Sequence, residues 1–182
     1  MRYHLLGTLG VLTAVLGITA TAQADISANT ANHPARKSSQ VSSPSPSTTN
    51  PVVTSLELSI YNQVNQYRQS LDLPPLVINP LISAQARAHS AEMAKTGNMS
   101  HDGFRERVDS VAQTITYRSA AENVATNMGY KQPDLVAIQG WIESPGHHRN
   151  MIGRFDLTGI GVTQNAKGEY YFTQIFIRQR SK

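Results

Sequence analysis

Apolar residues recur at helical intervals along the middle of the chain: Leu56, Ile60, Val64, Tyr67 and Leu71 are four, four, three and four positions apart. This spacing puts them on one helix face and predicts a helix over residues 54–71, ended by Leu73-Pro74-Pro75 because a residue before proline is pushed out of helical geometry. A second helix is expected from Pro80 to about Lys95, with Asn79 as N-cap, Pro80 at the first helical position and Gly97 closing it. Beyond Gly97 the pattern weakens, so that residues 104–113 read as a short helix and 115–127 as irregular or partly extended. Pro133 opens another helix carrying Leu135, Ile138, Trp141 and Ile142, up to Ser144-Pro145. The last third changes period: residues 157–162 and 170–177 read as two strands separated by an Asn165-Ala166-Lys167-Gly168 turn. Helices followed by a terminal hairpin predict an α+β domain with an antiparallel sheet packed by helices.

Upstream the pattern is different. Met1–His4 carries one firm positive charge, Arg2; an apolar run from Leu5 to Ala20 follows, and Ala22-Gln23-Ala24 fits the small-x-small cleavage rule. Residues 1–24 are therefore expected to be a signal peptide, the apolar run being shorter than the ~20 residues of a spanning helix. No later run approaches membrane length, so the expected product is exported, soluble and without stable membrane insertion, in the periplasm, cell envelope or extracellular space. Residues 25–53 are dominated by Ser, Thr, Pro and Asn. They cannot bury enough apolar area to offset their ordering entropy and read as a disordered linker, leaving residues 54–182 as the domain.

Composition narrows the chemistry. The 182 residues carry 16 Lys and Arg against 12 Asp and Glu, a formal charge of +4. Three of the bases (Arg2, Arg36, Lys37) and one of the acids (Asp25) precede residue 54, so the domain holds 13 bases and 11 acids, mostly scattered. Nucleic-acid binders cluster their bases on one face with stacking aromatics, and none is expected as a partner. Arg105 and Arg107 are expected to be solvated or paired with Glu106 and Asp109. The chain has no cysteine, which excludes disulfides, thiolate zinc sites and a cysteine nucleophile. Chemistry must come from imidazoles, carboxylates and hydroxyls.

Four histidines fall in the domain: His89, His101, His147 and His148. His89 lies on a stripe with Ile82, Ala86 and Met93 and reads as a buried, hydrogen-bonded histidine. His101 follows one helix and His147-His148 another, each at a polar break where side chains are often presented to ligands. No His-Glu-x-x-His zinc motif and no phosphate-binding glycine loop is present, and in Gly140-Trp-Ile-Glu-Ser144-Pro-Gly146 an isoleucine stands where a nucleophile elbow requires glycine.

Taken together, Tyr67-Arg68, Pro75-Leu76, Met99-Ser100-His101, Ala121-Glu122-Asn123-Val124-Ala125, Gly140-Trp141, Ser144-Pro145-Gly146-His147, Asn150-Met151 and Gly159-Ile160-Gly161 occur in one order. In this the chain resembles the CAP superfamily, named for cysteine-rich secretory proteins, antigen 5 and pathogenesis-related class 1 proteins, and most of all its cysteine-free bacterial branch. The resemblance spans residues 55–178.

The resemblance implies a three-layer α-β-α sandwich with a central antiparallel sheet and a cleft of two histidines and two acids. His101 matches the first histidine, Glu122 the acid of the Glu-Asn motif and His147 the second histidine, in the register Ser144-x-x-His147-x-x-Asn150. Many family members place the other acid three residues after the tryptophan, where this chain has Ser144. Glu143 is one position early, about 100° around a helix. It substitutes, faces solvent, or leaves a three-membered cleft. His101 and His147 are the expected ligands of Zn2+ or another divalent cation, each imidazole oriented by a carboxylate; the alternative is a metal-free polar network. Three functions are open on these residues. The first is a secreted module that binds a lipid, sterol, peptide or divalent metal. The second is an extracellular hydrolase, protease-like, using Glu122, His101 and His147. The third is an envelope structural or signalling protein with a vestigial cleft.

Overall fold

The computed structural model describes residues 50–180. The expected signal peptide and all but the end of the expected linker lie outside the described residues. Among the described residues the chain forms α1 (Pro51–Gln69), β1 (Val77–Ile78), α2 (Pro80–Thr96), α3 (Phe104–Ala112), β2 (Tyr117–Asn127), α4 (Pro133–Glu143), α5 (Pro145–Met151), β3 (Leu157–Gln164) and β4 (Tyr170–Gln179).

Asn-Pro pairs set two helix starts. Asn79 accepts the Leu81 N–H at 2.9 Å ahead of Pro80, and α2 closes on Gly97 with φ 70°. The same device begins α1, where Asn50 accepts the Val52 N–H at 3.0 Å and Pro51 takes the first helical position. The helix thus starts three residues before the 54–71 periodicity, inside the last residues of the expected linker. Pro51 had the composition of a linker but the position of a helix start.

The strand order is β1-β3-β4-β2, with β3–β4 and β4–β2 antiparallel and β1 parallel to β3. The sheet is antiparallel except at that two-residue edge, which is too short to leave a periodicity. Residues 117–127, within the stretch expected to be irregular or partly extended, form a strand paired with β4, with one register shift between Tyr117 and Ser119. Arg118, Ser119, Glu122, Asn123 and Asn127 interrupt the apolar alternation there.

Alternation along β4 builds the two sides of the sandwich. Phe172 and Phe176 join Ile60, Val64, Ile138, Trp141 and Met151 beneath α1, α4 and α5, while Ile175 and Ile177 join Ile82, Ala86, Val108 and Val111 beneath α2 and α3. Helices therefore cover both sheet faces. The approach of α2 to β3 is set by glycine: a Cβ on Gly159 would collide with the backbone of Ile82 and Ser83, and one on Gly161 with that of Ala86 and Arg87.

Candidate functional site

Successive side chains of a strand point to opposite faces, so Glu122 and Asn123 serve different layers. Glu122 stands opposite Ile175 on the α2–α3 side, and Asn123 opposite Gln174 on the α4–α5 side. Because β2 is an outer strand, the loop between α2 and α3 and the helix α5 meet around it.

The Glu122 side chain is only 1% exposed and accepts three hydrogen bonds. His101, on the loop between α2 and α3, brings Nδ1 to 3.0 Å from Oε1. Arg107 of α3 donates Nε to Oε2 at 3.0 Å and Nη2 to Oε1 at 2.8 Å, with Nη1 donating to the Asp102 carbonyl. The Arg107-paired carboxylate can only accept, so His101 Nδ1 carries the proton, and in the neutral ring the lone pair is on Nε2. The His101 side chain is 50% exposed. A buried ion pair thus orients a half-exposed imidazole.

Arg107 corrects an expectation, since it is buried against Glu122 instead of solvated or paired with Glu106 or Asp109. The signal lay in helix α3: Phe104, Arg107, Val108 and Val111 occupy the i, i+3, i+4, i+7 stripe. Arg105, off that stripe, is exposed and lies 3.8 Å from Asp109.

His147 and His148 sit on α5, not in a turn, because Pro145 starts a new helix directly after α4. Asn123 donates to the His147 carbonyl at 3.1 Å, and Asn150 donates to the Glu122 carbonyl at 3.2 Å and to Asn123 Oδ1 at 2.9 Å. These bonds tie α5 to β2 and bring the His147 ring centroid to 6.1 Å from that of His101, with the planes inclined at 44°. Burial, helped by the neighbouring His101, holds the His147 pKa below the ordinary imidazole value.

The other candidates stand elsewhere. His148 turns to α1, its Nε2 2.8 Å from the Tyr67 hydroxyl. His89 is buried and donates from Nε2 to the Ser100 carbonyl at 2.8 Å, fastening the loop that carries His101. Burial lowers its pKa, the hydrogen bond to Ser100 offsets this in part, and the charge of Arg107 adds to the lowering. Glu143 lies exposed on α4, where Gln139 Nε2 donates to it at 2.7 Å, and is not brought to the other three. Trp141 is buried and donates to the Val124 carbonyl at 2.9 Å. Among the described residues no three His, Asp or Glu side chains are grouped as ligands of one ion.

Two hollows flank the histidines. One, of about 420 Å³, lies on the α2 side against His89, Glu92, Asp102 and Arg107. The other, of about 370 Å³, runs along the outer edge of β2 from Asn127 to His147 and is walled by Met99 and by α4.

Residues 61–176 match the cysteine-rich secretory protein family, CAP. The chain is 32% identical over 128 residues to the uncharacterized protein YkwD of Bacillus subtilis, covering 69% of this chain and 48% of that protein. It therefore spans about half the length of that relative. Among solved structures it is similar to an extracellular protein containing a SCP domain from Bacillus anthracis, at TM-score 0.61 and 26% identity over 70% of this chain and 42% of the other. An outer surface protein of Borrelia burgdorferi shares the fold at TM-score 0.63 and 16% identity, over 70% of this chain and 96% of that one. A cysteine-rich secretory protein of Staphylococcus aureus shares it at TM-score 0.57 and 24% identity, over 74% and 40%. With the sandwich, the ordered motifs and this match over most of the domain, the chain belongs to the CAP family, in its cysteine-free bacterial branch.

Proposed function

We propose that this chain acts outside the cytoplasm as a binding domain that takes its ligand at the His101–His147 cleft. The observation that carries the reading is the use made of Glu122. Its carboxylate is buried, paired with Arg107 and turned to His101 Nδ1, which fixes the tautomer of an exposed imidazole beside a second one. A general base for hydrolysis needs a carboxylate free to take a proton from water; this one is engaged by three donors. Export is supported by the pattern of residues 1–24 and by the extracellular and outer surface proteins among the similar structures. No helix of the described residues is long and apolar enough to cross a membrane.

A divalent ion such as Zn2+ fits this donor set as an open site. His101 and His147 would hold it, Glu122 would act through His101 without touching it, and water would fill the remaining positions. Two imidazoles are fewer donors than a closed structural site uses, so the ion would be exchangeable. Bound there, it would attract a carboxylate or other oxygen ligand.

Calorimetric titration of the full chain with Zn2+, repeated on His101→Ala and His147→Ala, tests the reading, with lipid, sterol and peptide capture run on the same proteins. Loss of binding in both variants is expected. Retention of every ligand by both variants would contradict it.

A further inference from the structure

We propose that the outer edge of β2 docks an extended peptide as an added antiparallel strand, the peptide ending in a carboxylate at His147. The proposal rests on the cleft reading above and names the occupant and its direction.

The edge is open where the groove runs. The Asn165 N–H donates to the Glu169 carbonyl at 2.9 Å, which sets the alternation of the β3–β4 ladder. Tyr171, Thr173 and Ile175 then bond toward β3, and their β2 partners Thr126, Val124 and Glu122 point their own N–H and C=O groups outward. Two of those carbonyls are covered, Val124 by Trp141 Nε1 and Glu122 by Asn150 Nδ2. Among the described residues no side chain reaches the outward N–H groups of Val124 and Thr126 or the Thr126 carbonyl. Proteins usually blunt such an edge with charge, proline or a covering element. Here the flanks are apolar instead, with Met99 on one wall and Val136, Ala137 and Gly140 on the other.

The chemistry selects the occupant. Unpaired main-chain donors and acceptors beside an apolar trough match an extended main chain with apolar side chains, whereas an acyl chain would leave those polar groups buried and unpaired. Charge gives the direction. No acidic side chain lines the groove, and Arg107 neutralises the one carboxylate behind its histidine end. An antiparallel strand on β2 runs from Asn127 toward Glu122 and delivers its C-terminus to His147, which lines the groove and whose ring N–H can donate to the carboxylate. At the far end Asn127, whose Nδ2 donates to the Pro133 carbonyl, has a buried Oδ1 with no donor among the described residues. A Cβ on Gly140 would meet nothing within 4 Å, so the trough has room beside α4 for a ligand side chain.

The test is affinity selection by the full chain from a pool of short randomised peptides with free C-terminal carboxylates, against the same pool amidated. Hydrogen exchange of the protein with the selected peptide is the second readout. The free-acid pool should be enriched about tenfold or more over the amidated one, as for a charge-assisted hydrogen bond. Exchange should slow at the Val124 and Thr126 amides. Gly140→Leu, whose side chain enters open space and whose unfolding midpoint verifies the fold, should abolish enrichment. Absence of enrichment, equal enrichment of both pools, protection confined to other segments, or full capture by Gly140→Leu would each overturn the proposal. The two readings fail separately. Failed peptide selection with histidine-dependent Zn2+ binding removes the docking strand alone, and peptide capture with every ligand indifferent to the histidine substitutions removes the cleft reading.

Discussion

Arg107 and Glu122 meet through two parallel hydrogen bonds, Nε to Oε2 at 3.0 Å and Nη2 to Oε1 at 2.8 Å, with both side chains at least nine-tenths buried. The pair joins α3 to the outer strand and fixes the carboxylate that His101 leans on. Removing one partner strands the other charge in the interior. Arg107→Ala should therefore lower stability by about 3–5 kcal/mol, read from urea unfolding. Arg107→Lys should recover only part, since an ammonium cannot make the two-pronged contact. A loss no greater than the ~1 kcal/mol of an exposed pair would contradict this burial.

Gly161→Ala should also be costly. The added methyl meets the backbone of α2 at Ala86 and Arg87, and a helix backbone cannot move aside as a side-chain tip can. A destabilisation of about 1–3 kcal/mol or more is expected in the same assay. Gly140→Ala, with open space around its Cβ, should be neutral or stabilising, as Ala favours a helix interior over Gly.

Acid should weaken the fold before ordinary carboxylates titrate. Burial lowers the pKa of His89 and His147 below the 6.5 of a free imidazole. Above that value both rings are neutral in the folded and the unfolded chain, and their contribution is complete. As pH falls below it, the unfolded chain takes up protons first, and stability is lost until pH has passed the folded-state pKa. The urea midpoint should fall between about pH 7.5 and about pH 5.5, and His89→Gln should flatten that slope. An unchanged slope in His89→Gln would show that its ring is not buried in neutral form.

Much of this was legible in the sequence where a periodicity was long or a cap was strong. Asn79-Pro80 and Gly97 bound α2 as expected, and the Leu56-Ile60-Val64 stripe lies in α1. Legibility failed where site chemistry interrupts the pattern. Strand β2 spends Glu122 and Asn123 on two different networks, so its apolar alternation is broken at the motif that matters most. Arg107 was visible only as a charged residue on an apolar stripe, and the partner that explains it lies 15 positions away on another element. The separation of Glu143 from the cleft follows from the helical turn: Ala137, Gly140 and Trp141 share the groove side of α4, and Glu143 shares the exposed side with Gln139.

The central claim is that His101 and His147 form one binding site, with His101 held by Glu122 as the tautomer protonated at Nδ1. The most direct measurement is the imidazole nitrogen spectrum of the 15N-labelled full chain at about pH 7.5, through a titration with Zn2+. The account predicts a protonated Nδ1 on His101 before addition. Zn2+ should then shift His101 and His147 together, leaving His89 and His148 in place. A His101 without a proton on Nδ1, or ion binding that moves one of the two rings without the other, would contradict it.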